Sequence, residues 1–318
     1  IQIKYAGYLA RQEKQVEEFK KEESRRLPED IDYNSIVGLR LEAKEKLADT
    51  LFELVMTAPT REGYAYDEPS DLAGIRALRK PYPAEGEVPT DDILLDRIHG
   101  AWLGRVCGCM LGKTVEGIRT NELIPFLKES GNYPLHRYIL STDCTEETYG
   151  KYRFHFRHTC YVDKTDGMPP DDDTNYVLLA QTLIRSRGRD FTPADMANHW
   201  LRMQHKDAYC TAERVAFCNF VKGYRPPDSA VYKNAFREWI GAQIRGDLFG
   251  YINPGDPCMA ADMAYRDACC THTRNGIYGE MFVAAMIACA AVTDSIDDII
   301  LGGLAQIPST SRLYEAVM

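Results

Sequence analysis

An all-α fold is what this sequence predicts, and three observations carry that expectation. Apolar residues return at 3.6-residue spacing through Asp195–Met203, Ala208–Val221 and Met259–Ala268, the period of a helix with one buried face. Period-2 alternation is scarce, so no sizeable sheet is expected. Helix-start chemistry is present as well: Thr192-Pro193-Ala194-Asp195 offers a Thr cap, a Pro in the first turn and an acid at the third position.

Taken in order, residues 1–48 stand apart. Tyr8 to Arg26 is dominated by Glu, Lys and Arg at helical spacings, which favours an exposed helix, and Leu27-Pro28 ends it. Asp32 to Leu47 reads as a second short helical unit. Residues 49–92 form a lead-in: Leu51–Val55 is short and helical, Glu68-Pro69-Ser70-Asp71-Leu72 restarts a helix, and Pro81, Pro83, Gly86 and Pro89 mark a linker. Thr90-Asp91-Asp92 then caps a glycine-striped helix that opens the main domain, residues 93–318. Residues 141–168 are polar and aromatic and read as an irregular loop or a small excursion, and an Ala-rich run spans Gly279–Ala291.

The chain has 318 residues and a formal charge of −9, which argues against a nucleic-acid-coating surface. No run of about 18 apolar residues occurs, so no membrane span is expected. Ten cysteines are scattered without a Cys-x-x-Cys pair, and most lie in apolar helical contexts where they act as small hydrophobes. A reducing cytoplasm is the expected compartment.

The candidate site begins at Pro169-Pro170-Asp171-Asp172-Asp173-Thr174-Asn175-Tyr176. Three adjacent carboxylates repel one another, so they either raise one another's pKa or find a counter-charge. No Lys or Arg lies in the following ten residues, and a hard divalent cation would supply it. The apolar run Val177–Ala180 follows, so the acids open a buried helix, where the helix dipole favours negative charge. An acidic cap on an ordinary helix would look the same.

Gly100, Gly104, Gly108 and Gly112 recur every fourth residue, and Glu116 takes the next step. Such a row costs roughly 1 kcal/mol per Gly in helix propensity. It predicts a central helix packed tightly through its glycine face, with Glu116 delivered to a defined place or simply solvated. The loop Tyr251-Ile252-Asn253-Pro254-Gly255-Asp256-Pro257 enters a helix near Met259 and could present N–H groups to an anion, or be a plain turn. Thr271-His272 and Asn275–Glu280 form a polar interruption between helices, and Arg245 and Asp247 are positioned to pair.

Together, the Gly-x-x-x-Gly series ending in Glu, the Asp-Asp-Thr motif and the later Thr-His resemble the ADP-ribosylglycohydrolase family, from about residue 51 to 318. The strings Glu238–Arg245 and Asn275–Phe282 resemble one bacterial branch of it. The resemblance implies a compact all-α fold, a pair of Mg²⁺ ions (Mn²⁺ as the alternative) and hydrolysis of the bond between ADP-ribose and an acceptor. It implies metal ligation by Asp171, Asp172, Asp173 and Thr174, with Thr174 orienting the turn and Asp171 standing where many members carry Thr. It places Glu116 and Asp173 at the chemistry, Asn253 and Gly255 beside the phosphates, and His272 beside the sugar. The implied partner is an ADP-ribosylated protein or an ADP-ribose-containing small molecule. A glycoside leaves through an oxocarbenium-like state, which calls for proton transfer and an activated water.

The segments Ile1–Tyr8, Leu27-Pro28, Asp32-Tyr33, Gly38-Leu39 and Ala43–Leu47 resemble the C-terminal region of the MnmG family of tRNA uridine-modifying proteins. That family's FAD motif is absent from this sequence. The second acidic motif expected of the glycohydrolases is also absent, and the stretch Gln306–Met318 resembles the region before it, so the chain is expected to be a truncated piece or chimera. Two alternatives to hydrolysis stand beside it: an inactive ADP-ribose or nucleotide-binding module, and a tRNA-modification accessory protein acting through residues 1–48.

Overall fold

The computed structural model describes residues 41–82 and 86–318, in two units divided after Glu62. In the first, helix α1 runs from Leu41 to Thr57. The sequence boundary expected at residue 48 falls inside this helix. Most of the helical unit expected from Asp32 and all of the charged helix over Tyr8–Arg26 lie outside the described residues.

The second unit carries helices α2 (Leu72–Ala77), α3 (Asp91–Lys113), α4 (Thr120–Glu129), α5 (Glu146–Lys151), α6 (Asp172–Arg187), α7 (Pro193–Met203) and α8 (Thr211–Val221). It continues with α9 (Asp228–Val231), α10 (Asp247–Tyr251), α11 (Pro257–Ala268), α12 (Asn275–Ala290), α13 (Ile296–Leu304) and α14 (Arg312–Val317). There is no strand among the described residues, as the scarcity of period-2 patterning predicts.

Helix α12 lies at the centre, with Ile277, Met281, Ala284, Ala285 and Ala288 buried against α10, α11 and α13. Its many small side chains allow close packing, and two glycines on the α10 side complete the fit. A Cβ at Gly250 would stand 2.5 Å from Ile287 Cβ, and one at Gly246 would stand 2.9 Å from the Glu280 carbonyl oxygen. Helix α7 starts as its sequence predicts: Thr192 accepts from the Asp195 N–H and donates to its carboxylate, a reciprocal cap.

The glycine stripe of α3 behaves differently from the expectation. A Cβ added at Gly100, Gly104, Gly108 or Gly112 would meet nothing within 4 Å. The packed rows are its neighbours around the helix. Ile98 and Trp102 rest on the core, with Trp102 tilted on Tyr251 at 6.3 Å between ring centroids. Arg105, Cys109 and Lys113, one residue past the glycines, turn to the start of α6. One residue is about 100° of helix rotation, so adjacent rows face different surroundings.

Of the two readings of residues 141–168, the structure shows a small excursion and not an irregular loop. With α4 and α5 they enclose a second small core of Phe126, Leu127, Ile139, Tyr152, Phe156 and Tyr161. The lead-in is pinned to the opposite end of the chain. Glu68 accepts three bonds from the Arg312 side chain and one from its backbone N–H, and Tyr278 donates to the Pro69 carbonyl.

Candidate active site

Four chain segments meet around a cleft of about 560 Å³. The end of α3 contributes Cys109, Lys113 and the exposed Glu116 from the turn after the helix; the start of α6 contributes Asp171, Asp172, Asp173 and Tyr176. The start of α8 contributes Thr211 and Glu213, and the 3-10 segment Ile240–Arg245 with its preceding Trp239 closes the remaining side. Glu116 and the acidic triplet, 55 residues apart at their nearest members, therefore line one cleft.

The triplet opens α6 as the sequence predicts. Asp171 is the N-cap, in extended conformation, and its carboxylate accepts the Asp173 N–H at 3.0 Å. Thr174 donates its hydroxyl to the Asp171 carbonyl at 3.1 Å, so it fastens the first turn instead of facing the cleft. The Arg105 guanidinium binds the Asp173 carbonyl at 3.0 Å and pairs with Asp247 at 2.7 Å, locking α3 to α6 and α10. Asp247 thus pairs with Arg105 rather than with Arg245.

The counter-charge missing from the local sequence comes from α3: the Lys113 ammonium is ion-paired with Asp171. Burial raises the Asp171 pKa, but the Lys113 ammonium, the Asp173 N–H and the Cys109 thiol together outweigh it and hold the carboxyl below its ordinary value. Asp172 has no ion-pair partner among the described residues. Burial, followed by the hydrogen bond and charge of Asp171 and the charge of Asp173, pushes it up to about 6. Burial and the same two acids keep the Cys109 thiol protonated, well above its ordinary range.

One oxygen each of Asp171 and Asp173 and the Cys109 sulfur all lie within 4.8 Å of one another. Oxygen and sulfur donors converging in this way fit one divalent cation. Two of the four ligands implied by the family resemblance belong to this group. Asp172 stands beside it, with one carboxylate oxygen 3.1 Å from the Asp173 N–H, and Thr174 is held by the backbone.

Behind the cleft lies a buried ionic cluster that the sequence did not disclose. Arg245, 1% exposed, meets Glu213 and Asp267 at 2.9 Å and Glu280 at 3.5 Å, and its guanidinium lies over the rings of Trp200 and Tyr176. Burial pushes the Glu280 carboxyl well up and the Glu213 carboxyl up in the same sense. Protonation of Glu280 lowers the excess of negative charge around the single guanidinium. Glu213 carries this cluster to the cleft wall, where Gly241 gives it room: a Cβ there would stand 2.1 Å from its carboxylate. The neighbouring Thr211 has a φ of +38°, a left-handed conformation that costs a non-glycine residue on the order of 1–3 kcal/mol.

Three expected substrate residues do not line the cleft. Asn253 is buried, donating to the Phe249 carbonyl at 2.7 Å and accepting from Arg189. Gly255 has a φ of +72° and lies against Val292 and Val88, the conformation of a tight turn. His272 is 1% exposed, with Nδ1 bonded to the Thr271 hydroxyl at 2.7 Å and Nε2 3.9 Å from Glu213. Burial, then the Arg245 charge, lowers its pKa well below the ordinary value and leaves it neutral. Cys109 and Lys113 were legible in principle: they lie four residues apart, on one helical face. Glu213 and Trp239 carry no comparable sequence signal.

A profile of the ADP-ribosylglycohydrolase family matches residues 90–318, most of the chain and every segment of the cleft. The chain belongs to the ADP-ribosylglycohydrolase family. A profile of the C-terminal helical bundle of the tRNA-modifying enzyme MnmG/GidA matches residues 15–57 and so ends with α1. Among curated proteins, the MnmG tRNA uridine 5-carboxymethylaminomethyl modification enzyme of Lachnoclostridium phytofermentans is 57% identical over 47 residues, 15% of this chain and 8% of that protein. Its counterpart in Lactobacillus delbrueckii subsp. bulgaricus is 45% identical over 73 residues, 23% of this chain and 11% of that protein. The chain therefore spans only about a tenth of the length of these relatives. No solved structure matches. Membership in the glycohydrolase family supports glycohydrolase activity in general terms. Among the described residues, no helix is long and apolar enough to cross a membrane.

Proposed function

We propose that this cleft binds an ADP-ribose conjugate and, with a divalent cation, hydrolyses the bond between the ribose anomeric carbon and an acceptor group. The observation that supports it most is the convergence of Glu116, Asp171, Asp172, Asp173 and Lys113 on a single cleft. Hydrolysis breaks the anomeric bond, adds the water oxygen to the sugar and returns a proton to the acceptor. Glu116, an exposed residue of the cleft lining, is the group proposed to move that proton. Asp171, Asp173 and Cys109 would hold the cation, with Asp172 beside them; the carboxylates suit Mg²⁺ or Mn²⁺. When bound, the cation supplies Lewis acidity toward ribose oxygens and water. Trp239 and Ile240, 56% and 71% exposed, offer apolar surface at the rim that suits a planar base. Lys113 supplies positive charge for a diphosphate.

The proposed substrate is an ADP-ribosylated protein or an ADP-ribose-containing small molecule. A reducing cytoplasm is the proposed setting, which suits cysteines that are all unpaired. The test is release of free ADP-ribose from arginine- and serine-linked ADP-ribosyl peptides, followed by mass spectrometry with and without added Mg²⁺ or Mn²⁺. Cation-dependent release supports the reading. Calorimetric binding of ADP-ribose without release from any conjugate would replace it with a binding module.

A further inference from the structure

We propose that Glu213 is a substrate-binding residue whose carboxylate accepts a hydrogen bond from a hydroxyl of the ribose at the scissile bond. The inference rests on the proposed function and assigns one part of the substrate to this side chain. Glu213 lines the cleft, yet it is only 2% exposed. Holding a carboxylate so far from water is costly, and charge balance does not require it. Arg245 already has Asp267 at 2.9 Å and Glu280 at 3.5 Å, so Glu213 is a third carboxylate on one guanidinium.

The surrounding backbone is shaped to this side chain. On the facing segment, a Cβ at Gly241 would overlap both carboxylate oxygens, so only glycine leaves them their place. Two residues before Glu213, Thr211 holds its left-handed φ of +38°. Oε1 accepts from Arg245 at 2.9 Å. Oε2 keeps only a 3.4 Å contact with the Thr211 hydroxyl, at the long end for a hydrogen bond, and so can accept a further donor.

A carboxylate accepts from a hydroxyl and repels a phosphoryl group, so a sugar and not the diphosphate belongs beside Oε2. Depth selects which sugar. Trp239 and Ile240 are exposed and suit the base, whereas Glu213 is buried beside the acids of α6. Tyr176, one turn along that helix from Asp172, lines the same cleft with its ring 5.4 Å from the guanidinium that holds Glu213. The ribose whose anomeric bond breaks is the one that must reach those acids.

The experiment titrates the full chain in a calorimeter, at fixed Mg²⁺, with ADP-ribose and with ADP, which lacks the second ribose. Glu213→Gln and Glu213→Asp are run alongside, with circular dichroism melts to show that each is folded. In Glu213→Gln the amide oxygen still accepts from Arg245, and an NH₂ group stands where Oε2 accepted. ADP-ribose affinity should fall by at least about tenfold in this variant, while ADP affinity stays within about twofold of native. Glu213→Asp keeps the charge on Arg245 but shortens the reach, and should show the same selective loss. The native chain should bind ADP-ribose more tightly than ADP, a comparison that needs no variant. Equal losses for both ligands would mark a merely structural role and overturn the proposal. Native ADP-ribose affinity in a folded Glu213→Gln chain, or a native chain that binds ADP as tightly as ADP-ribose, also overturns it and leaves the proposed function standing. Failure of the native chain to bind ADP-ribose at all overturns both.

Discussion

The ammonium of Lys113, the last residue of α3, is ion-paired with the carboxylate of Asp171, the N-cap of α6. The pair joins two segments 58 residues apart and sets the charge of the cleft. An internal cation on Asp171 competes with any external one. Lys113→Met should therefore tighten divalent-cation binding by about three- to tenfold at low salt, with the gain shrinking as ionic strength rises. Isothermal titration at two salt concentrations measures it; unchanged or weaker binding would show that the ammonium does not compete.

Glu116 has the opposite role, one that concerns the reacting bond more than the cation. Glu116→Gln keeps the size and hydrogen-bonding capacity of the side chain but removes its titratable proton. Turnover of an ADP-ribosyl conjugate should fall by at least about 10²-fold. Cation affinity should stay within about threefold of the native chain, because an exposed charge outside the donor group is screened. Native turnover in this variant would assign proton transfer elsewhere.

Asp172 gives the cation-free protein a pH dependence of defined sign. Its folded pKa is raised to about 6 from 3.8, so its contribution to stability is greatest below about pH 4 and is lost as pH rises through 6. After solvent screening, the loss is on the order of 1–2 kcal/mol. Asp172→Asn should remove that slope, and a saturating divalent cation should flatten it by stabilising the ionised carboxylate. Denaturation midpoints across pH 4 to 7, with and without cation, test both statements.

Glu68 titrates in the other direction. Burial pushes it up, but the Arg312 side chain and backbone, with Asn275 and Tyr64, bring it down to about 2 from 4.5. Its contribution is present above about pH 4.5 and is lost as pH falls toward 2. Glu68→Gln should lower the melting temperature at neutral pH and make acid denaturation less steep, because the lead-in then loses its ionic tie to α14.

Arg245→Met should be the most destabilising of these changes. It fills similar space but leaves Glu213, Asp267 and Glu280 together without a guanidinium. Breaking a buried ionic arrangement in this way costs about 3–5 kcal/mol. Urea denaturation measures the loss. A loss below about 1 kcal/mol would show that the carboxylates become neutral without penalty.

The all-α architecture was legible because helix periodicity and capping are local properties. The Thr192 cap, the acidic start of α6 and the Asp71-capped restart at α2 all follow from residues within a few positions of one another. The acidic triplet and Glu116 were legible as candidate chemistry for the same reason. The role of the glycine row was not. A four-residue repeat shows that Gly100, Gly104, Gly108 and Gly112 share a face, but says nothing about what stands opposite them. In the structure that face is open, and the close approach between helices occurs at Gly246 and Gly250.

Partner choice was settled in space. The sequence shows three crowded carboxylates without a nearby cation; the fold brings Lys113 to one of them and Cys109 to two. It shows Arg245 and Asp247 two residues apart, while the backbone turns them to different partners, Glu213 and Asp267 for one and Arg105 for the other. It offers Asn253, Gly255 and His272 as polar loop residues, and tertiary packing directs them to hydrogen bonds and a turn away from the cleft. Helix period, caps and the order of acidic motifs are set by covalent neighbours, so the chain alone determines them. Which charges meet, and which face of a helix stays open, depends on side chains tens to hundreds of residues apart, and packing alone decides it.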